Sequence, residues 1–214
     1  MRRTAEQDPR PEGTRRVPLH LQRQGKGAFH MWKRWGRLTR FVESARIALA
    51  REFAIWDSLK LSAVDEVRLQ TNDSKSEYRV TVSEHRAALS DEALFAGMVL
   101  VYSYALAEAA LADRLGKEVI DAGIEVWGDA LLRKAGNTWD GVTDGKAGLV
   151  EVAVVRNAIA HGSMMIDQAA VNRLASASSS VSWPVGHVID LTLDDLRKYR
   201  MRLKSLLRLG GVRS

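Results

Sequence analysis

Long segments with an apolar residue at every third or fourth position occupy most of the sequence, and this spacing restricts the chain to a mainly helical fold. The first segment begins near Met31 and carries three of the six tryptophans. Gly-, Ser- and Asn-rich breaks separate the segments and end the helices that they predict. Those helices cover about residues 31–59, 92–115, 119–135, 148–161 and 193–209. The sequence therefore predicts an all-α bundle around one core, spanning residues 31–210.

One short segment has the spacing of a strand. Residues 78–82 alternate apolar and polar side chains, which is the pattern of a half-buried strand. We expect residues 187–191 to pair with it, so that a small accessory strand pair lies beside the helical bundle. Residues 71–74 are typical of a turn, and the Ser/Ala-rich residues 175–182 are typical of a linker before the last helix.

Residues 1–30 differ in composition from the rest of the chain. They carry seven Lys or Arg against three Asp or Glu, so +4 of the net charge of +6 lies there, and they hold three of the four prolines. With little apolar periodicity, the segment is predicted to be a disordered basic tail. Such a tail attracts RNA without sequence preference. A solvated extension explains the composition equally well, so we assign the tail no function.

The composition excludes several kinds of site. The absence of Cys excludes a disulfide framework, a thiol nucleophile and a zinc–thiolate centre, and it is typical of a reducing cytoplasm. The longest apolar run, residues 93–107, contains Gly97 and Ser103 and is shorter than a membrane span, so it predicts a buried core helix. No spacing of His and carboxylates predicts a metal site, and no glycine-rich loop predicts a cofactor site. We expect a cytoplasmic protein without metal, cofactor or membrane contact.

The residues best suited to chemistry lie at the end of the helix predicted from residue 148. There the chain reads Arg-Asn-Ala-Ile-Ala-His-Gly, from Arg156 to Gly162. Asn157 and His161 are four residues apart and share a helix face, whereas Arg156 lies roughly 140° around the axis from His161. Gly162 is suited to a left-handed helix cap. A fixed cation, an amide and a titratable imidazole suit the cleavage of a phosphodiester without a metal.

The spacing of this Arg and His is weak as a signal when taken alone. The general pattern, an Arg followed by a His after four to six residues, also occurs in three places that lack an apolar helix, at Arg15/His20, Arg23/His30 and Arg79/His85. Basic residues and His are also common in the last turn of a helix, where they complement the dipole and the free carbonyls. A capping role for His161 is therefore the structural alternative to a chemical one.

Arg-Asn-x-x-x-His at the end of an apolar helix resembles the signature of the HEPN superfamily, small all-helical domains of which many are metal-independent endoribonucleases. The polar linker, the segment 186–196 and the closing helix add to the resemblance. It covers roughly residues 84–209 and does not fix a subfamily. The resemblance implies an HEPN-like helical bundle that forms a homodimer, in which the two motif helices face each other across a two-fold axis and share one cleft.

The resemblance also implies a mechanism and a function. The RNA 2′-hydroxyl would attack the adjacent phosphate, leaving a 2′,3′-cyclic phosphate and a 5′-hydroxyl. His161 would be the general base or acid, Arg156 would stabilise charge on the non-bridging oxygens, and Asn157 would orient the imidazole or hold a phosphate oxygen. Glu108 is a supporting residue for which pairing with Arg156 or His161 is one interpretation, because a buried carboxylate usually requires a cation; a carboxylate that faces solvent is the alternative. The protein would then be an endoribonuclease of a toxin, defence or RNA-processing system, with RNA and an antitoxin or neighbouring-gene product as partners.

One departure from the family pattern and two alternatives bear on that function. Ser163 stands where HEPN toxins silenced by a nucleotidyltransferase antitoxin carry the Tyr that is adenylylated, so we do not expect that form of regulation. The first alternative is a non-catalytic HEPN module that binds RNA, a nucleotide or a partner protein, because a fold does not guarantee activity. The second is an unrelated helical protein in which the motif occurs by chance.

Overall fold

The computed structural model describes residues 19–59, 68–70 and 79–212, and in this part of the chain helices dominate. The two strands are β1 (Arg68–Gln70) and β2 (Arg79–Thr81). A single 3-10 turn (Trp139–Gly141) precedes the sixth helix. The helices are α1 (Leu19–Ser58), α2 (Val82–Ser90), α3 (Glu92–Leu115), α4 (Lys117–Asp121), α5 (Ile124–Ala135), α6 (Gly145–Ala160), α7 (Gln168–Ser176) and α8 (Leu193–Leu209). This architecture confirms the all-α class.

One hydrophobic core joins the helices, and α3 lies at its centre. The side chains of Leu100 and Leu111 on α3 are fully buried, as are Trp127 on α5, Leu149 on α6 and Leu203 on α8. Residues 148–155 of α6 are buried without interruption. Helix α3 contacts α1, α6 and α8. The apolar spacing of the sequence is therefore used to bury these helices against one another.

The described part of the chain begins before the predicted domain boundary. Helix α1 starts at Leu19, whereas the sequence places the start of the domain near Met31, so residues 19–30 are helical. Pro18 precedes this start in the sequence, and proline is tolerated only in the first turn of a helix. The rest of the predicted basic tail lies outside the described residues. Farther along α1, Trp32 donates from Nε1 to the backbone carbonyl of Val212 at 3.0 Å. This hydrogen bond holds α1 against the residues that follow α8.

The strand prediction is correct for one member of the pair and wrong for the other. Strand β2 forms within the predicted segment, but it pairs antiparallel with β1, so that Leu69 lies opposite Val80. Residues 187–191 supply no strand, and Val188 forms an isolated bridge with Met165. Pairing with a segment close in sequence closes a shorter loop and costs less chain entropy. The turn predicted at residues 71–74 lies outside the described residues.

Helix ends were predicted well where a capping residue marks them. Asp91 accepts a hydrogen bond from the backbone N–H of Leu94 at 2.8 Å and begins α3, and α8 has the predicted bounds. The helix predicted over 119–135 is instead divided into α4 and α5, because Gly123 adopts a left-handed φ of 97° between them. Helix α7 was not predicted, because its Ser- and Ala-rich end resembles a linker.

Helix α3 is long and apolar enough to cross a membrane by length and composition, over residues 92–112. Half of that window is buried inside the protein. Its buried residues contact α1, α6 and α8, which is the packing of a core helix. Core helices satisfy the same length and composition test, so the packing supports the core-helix interpretation of residues 93–107.

A charged network inside the core joins α6 to α8. The carboxylate of Glu151, only 7% exposed, accepts a hydrogen bond from the Tyr199 hydroxyl at 2.8 Å and forms an ion pair with Nη1 of Arg202 at 2.9 Å. Arg202 also donates to Asp144, the residue before α6, at 2.7 Å. A buried carboxylate needs such partners because its desolvation is costly. The network therefore fixes the position of the helix that carries the Arg-Asn-x-x-x-His motif.

Candidate active site

The motif lies where α6 leaves the core. Residues 148–155 are buried, Arg156 and Asn157 are half-buried, and His161, the C-cap residue, is exposed. Gly162 adopts the left-handed φ of 71° that the sequence predicted for it. Its N–H donates to the carbonyl of Ile159 at 3.0 Å and ends the helix. The core therefore holds the start of the helix and leaves the motif residues open to solvent.

Three groups hold the guanidinium of Arg156. Its Nη2 donates to Oε2 of Glu108 at 3.1 Å, and its Nη1 donates to Oδ1 of Asn157 at 2.9 Å. The guanidinium also lies over the ring of Tyr104, with 4.6 Å between the guanidinium carbon and the ring centroid. Of the two partners considered for Glu108, the structure gives Arg156. A guanidinium held at three points keeps its orientation when a ligand binds.

The carboxyl group of Glu108 is half-buried between α3 and α6. Burial raises its pKa, the nearby charge of Arg156 lowers it, and the net result is a pKa above the ordinary value of a glutamate. Asp121 raises the pKa further because it is a second negative charge. Glu108 therefore orients Arg156 but is itself held in an environment that disfavours its charge.

His161 lies in a cleft between α6, the loop that follows it and α7. We call this the His161 cleft; its volume is about 400 Å³, and its polar lining consists of Asn157, His161, Ser163, Asp167 and Arg173. The imidazole makes no hydrogen bond with any of the described residues, so both ring nitrogens are open to a ligand. An exposed imidazole in an open cleft can donate a hydrogen bond to a ligand or accept one from it.

Arg156 lies in a neighbouring cleft rather than beside His161. This Arg156 cleft has a volume of about 510 Å³, and its polar lining consists of Glu108, Lys117, Asp121, Arg156, Asn157 and Arg173. Asn157 and Arg173 line both clefts. The wide angle between Arg156 and His161 on α6 explains the separation, because the long side chain of Arg156 turns toward Glu108. One protomer therefore brings Arg156 to Asn157 but does not bring it to His161.

Arg173 is a candidate site residue that the sequence did not reveal. It forms two hydrogen bonds with Glu125, each of 2.6 Å, from Nε and Nη2. Burial acts to raise the pKa of Glu125, but Arg173 and the other hydrogen bonds outweigh it, so this pKa lies below its usual value. The pair fixes the guanidinium between the two clefts. The sequence does contain a pattern that indicates α7, the helix that carries Arg173. Val171 and Leu174 have helical spacing, and they follow Asp167, which caps α7.

Two other histidines and one aspartate lie in structural positions. The ring of His85 meets Trp56 edge-on, and the ring of His187 stacks on Trp183. Asp195 completes a capping box with Thr192 at the start of α8. Among the described residues, no group of three or more His, Cys, Asp or Glu could hold a metal ion.

Comparisons with protein-family models, with curated proteins and with solved structures found no match to this chain. Any function must therefore be argued from the two clefts and the residues that line them. Together they offer two arginines in fixed orientations, an amide between them and an accessible imidazole. Such a set can bind phosphate oxygens and exchange a proton with a bound hydroxyl group.

Proposed function

We propose that this protein is a metal-independent endoribonuclease of the HEPN type, which cleaves RNA through attack of the 2′-hydroxyl on the adjacent phosphate. The observation that carries the proposal is the open imidazole of His161 beside Asn157, with the oriented guanidinium of Arg156 on the other side of the same amide. The mechanism requires proton transfer and charge stabilisation, and these three residues supply both. It also selects RNA, since DNA lacks the attacking hydroxyl.

Each residue has a distinct role in the proposed reaction. His161 accepts the proton of the 2′-hydroxyl or donates one to the departing 5′-oxygen. Arg156 stabilises the negative charge that develops on the non-bridging oxygens, because its guanidinium can donate two parallel hydrogen bonds. Asn157 donates to a phosphate oxygen from its amide nitrogen while its Oδ1 accepts from Arg156. The bond to the 5′-oxygen breaks, and a 2′,3′-cyclic phosphate and a 5′-hydroxyl remain.

A second copy of the chain would complete this site. One imidazole cannot serve as base and acid at the same moment, and Arg156 and His161 of one protomer lie in neighbouring clefts. A two-fold homodimer would bring two imidazoles and two guanidiniums to one RNA strand. The dimer therefore supplies the second proton-transfer group that the reaction needs.

An exposed apolar face on α3 supports the homodimer. Leu94, Met98 and Tyr102 lie at successive turns and are 57%, 57% and 50% exposed. Gly97 lies between the first two, and a Cβ built on it would be only 3.2 Å from the side chain of Ile159 near the end of α6. This face therefore adjoins the motif. Most apolar residues of α6, those from Leu149 to Val155, are buried in the protomer, so α3 rather than the motif helix would supply most of the apolar contact.

The biological setting follows from the same proposal. A cytoplasmic location agrees with a chain that contains no Cys. An RNase with this unprotected cleft would need restraint in a cell, so an antitoxin or neighbouring-gene product that covers the His161 cleft is a suitable partner. Adenylylation of a motif Tyr is not the route that we expect, because Ser163 occupies that position.

One observation favours the non-catalytic module as a second candidate. The donors of Arg156 are directed to Glu108 and Asn157, and its Nε is buried without a hydrogen-bond partner among the described residues. A phosphate must therefore compete with a carboxylate for this guanidinium. If the carboxylate prevails, the two clefts would bind RNA, a nucleotide or a partner protein without cleaving anything.

Incubation of the purified protein with RNA in the presence of a chelator distinguishes the two candidates. The wild type should cleave, and His161→Ala should lose most of the activity while it keeps its fold. Arg156→Lys should also be poor, because an ammonium cannot replace the planar fork of a guanidinium. Asn157→Ala should lose less, because orientation contributes less than charge or proton transfer.

His187→Ala is the matched control for these variants. This histidine also lies in a loop, but its ring stacks on Trp183 and it lines neither cleft. The variant should cleave like the wild type. If Arg156→Ala and His161→Ala both cleave like the wild type, or if cleavage requires a divalent metal, the proposed function is wrong. If the wild type binds RNA at this surface and never cleaves it, the protein is a non-catalytic module rather than an endoribonuclease.

A further inference from the structure

A cavity between α1 and α8 contains a buried arginine that no carboxylate neutralises. Arg200 is only 9% exposed, and no Asp or Glu lies within ion-pair distance of it among the described residues. Its guanidinium lies 4.8 Å from the ring of Trp35 and donates from Nη2 to the hydroxyl of Thr39 at 2.9 Å. Its Nε is buried without a partner. A buried charge with so little compensation is costly, and an anion would reduce the cost.

Further cations surround the cavity, which we call the α1/α8 cavity. Arg46, Arg197 and Lys204 line it together with Arg200, and Glu43 is the one carboxylate among its lining residues. Glu43 contacts Arg46 at 3.3 Å and Arg197 at 3.7 Å rather than Arg200. Arg197 also contacts Asp194, which lies outside the lining residues, at 2.7 Å. Four cationic groups against two carboxylates leave an excess of two positive charges. The cavity therefore attracts an anion that carries more than one negative charge.

The size and walls of the cavity restrict the anion further. Its volume is about 220 Å³, which is below the range of roughly 300–1,000 Å³ typical of pockets for drug-sized ligands. Val42, Leu193 and Leu196 give it apolar walls. A guanidinium matches the oxygens of a phosphate group in two parallel hydrogen bonds. The fitting ligand is thus a phosphate group with a small apolar or planar body.

We propose that the α1/α8 cavity binds the phosphate group of a small organic phosphate, with Arg200 as the buried anchor and Arg46, Arg197 and Lys204 at the rim. Burial lowers the pKa of the Arg200 guanidinium and Glu43 acts against this, which agrees with a charge that lacks a close partner. The cavity shares no lining residue with the His161 cleft or the Arg156 cleft. The site is therefore spatially separate from the two clefts to which we assign RNA cleavage.

Calorimetric titrations at constant ionic strength test this site. The probes are inorganic phosphate, phenyl phosphate and a short RNA with either a 5′-phosphate or a 5′-hydroxyl. We expect saturable binding of one equivalent. Tighter binding of phenyl phosphate than of inorganic phosphate would identify a small organic phosphate. Binding of the 5′-phosphorylated RNA but not of its 5′-hydroxyl counterpart, with no binding of phenyl phosphate, would show a different source of phosphate and overturn the small-ligand assignment.

Arg200→Met keeps the apolar stem and removes the charge and donors, so it should bind about tenfold or more weakly, as expected when hydrogen bonds to a charged group are lost. Because Arg200 is buried, a second variant protects the test against misfolding. Arg46→Ala/Lys204→Ala changes the rim and should also weaken binding. Arg133→Ala, on the exposed side of α5, is the control and should bind like the wild type. No saturable binding, or equal binding by wild type and both variants, would overturn the proposal.

Discussion

Glu108 determines both the orientation of the Arg156 guanidinium and the charge around it when a ligand binds. The carboxylate fixes the guanidinium at 3.1 Å but also adds a negative charge to the Arg156 cleft. A phosphate is repelled by that charge while it benefits from the orientation. The amide of Gln can accept the same hydrogen bond without the charge. The two effects of Glu108 are therefore separable by substitution.

Glu108→Gln should raise stability at neutral pH. Because the pKa of Glu108 is raised, its ionised form costs stability above that pKa, and the cost disappears below the unfolded value of about 4.3. The variant should thus melt above the wild type at neutral pH, and the difference should shrink as the pH falls to about 4. Thermal melts across this range measure it. A variant that melts below the wild type at neutral pH would show that the ion pair stabilises the fold.

Arg173→Ala should raise KM for RNA about tenfold and change kcat by less than about threefold, because a lost phosphate contact weakens binding rather than chemistry. Arg173 lines both clefts and is fixed by Glu125. Steady-state cleavage of one oligonucleotide separates the two constants. Arg133→Ala removes the same charge outside the clefts and serves as the control. A fall in kcat with unchanged KM would exclude a binding role for Arg173.

The positions of single residues could be predicted from the sequence where they depend on neighbouring residues in the chain. The left-handed Gly162 and the exposed end of α6 follow from residues next to each other in the chain. The direction of the Arg156 side chain does not, because it depends on Glu108, a residue on another helix. Arg173 was missed for the same reason, since its partner Glu125 lies on α5. A single sequence contains no pattern that shows which residues of different helices contact each other.

Among the elements, α6 depends most on a single buried carboxylate. Glu151→Ala should lower the free energy of unfolding by about 3 kcal/mol, because it removes the partner of the buried Tyr199 hydroxyl and one of the two carboxylates that Arg202 contacts. Denaturant unfolding measures this loss. Asp194→Ala is the control, since that carboxylate is 78% exposed and its contact with Arg197 is worth little. An unchanged stability of Glu151→Ala would mean that the network does not hold α6 to α8.

Whole helices were predicted where caps and apolar spacing agree. The starts of α3 and α8 coincide with side-chain caps at Asp91 and Thr192. The division between α4 and α5 was missed because one glycine within a helical pattern is common, and its φ is decided by packing. The partner of β2 was missed because an alternating pattern marks a strand but not the segment that pairs with it.

For the molecule as a whole, Met98→Glu should abolish the proposed dimer. Met98 is exposed in the protomer, so a charge there should leave the fold intact but oppose the burial of the α3 face against a second copy. Light scattering should give the dimer mass for the wild type and the monomer mass for the variant, and RNA cleavage should be lost with the dimer. Val126→Glu, an exposed position on α5, is the control. A wild type that is monomeric at micromolar concentration would contradict the composite site.

The most direct test of the proposed mechanism uses an oligonucleotide that is cleaved at one position, in matched forms with ribose or 2′-deoxyribose at that position. The reaction is run in the presence of a chelator, and mass spectrometry of the products identifies the ends. Attack by the 2′-hydroxyl predicts a 2′,3′-cyclic phosphate and a 5′-hydroxyl from the ribose form and no cleavage of the 2′-deoxy form. Cleavage of the 2′-deoxy form at the same position, or products without a cyclic phosphate, would contradict attack by the 2′-hydroxyl with His161 and Arg156.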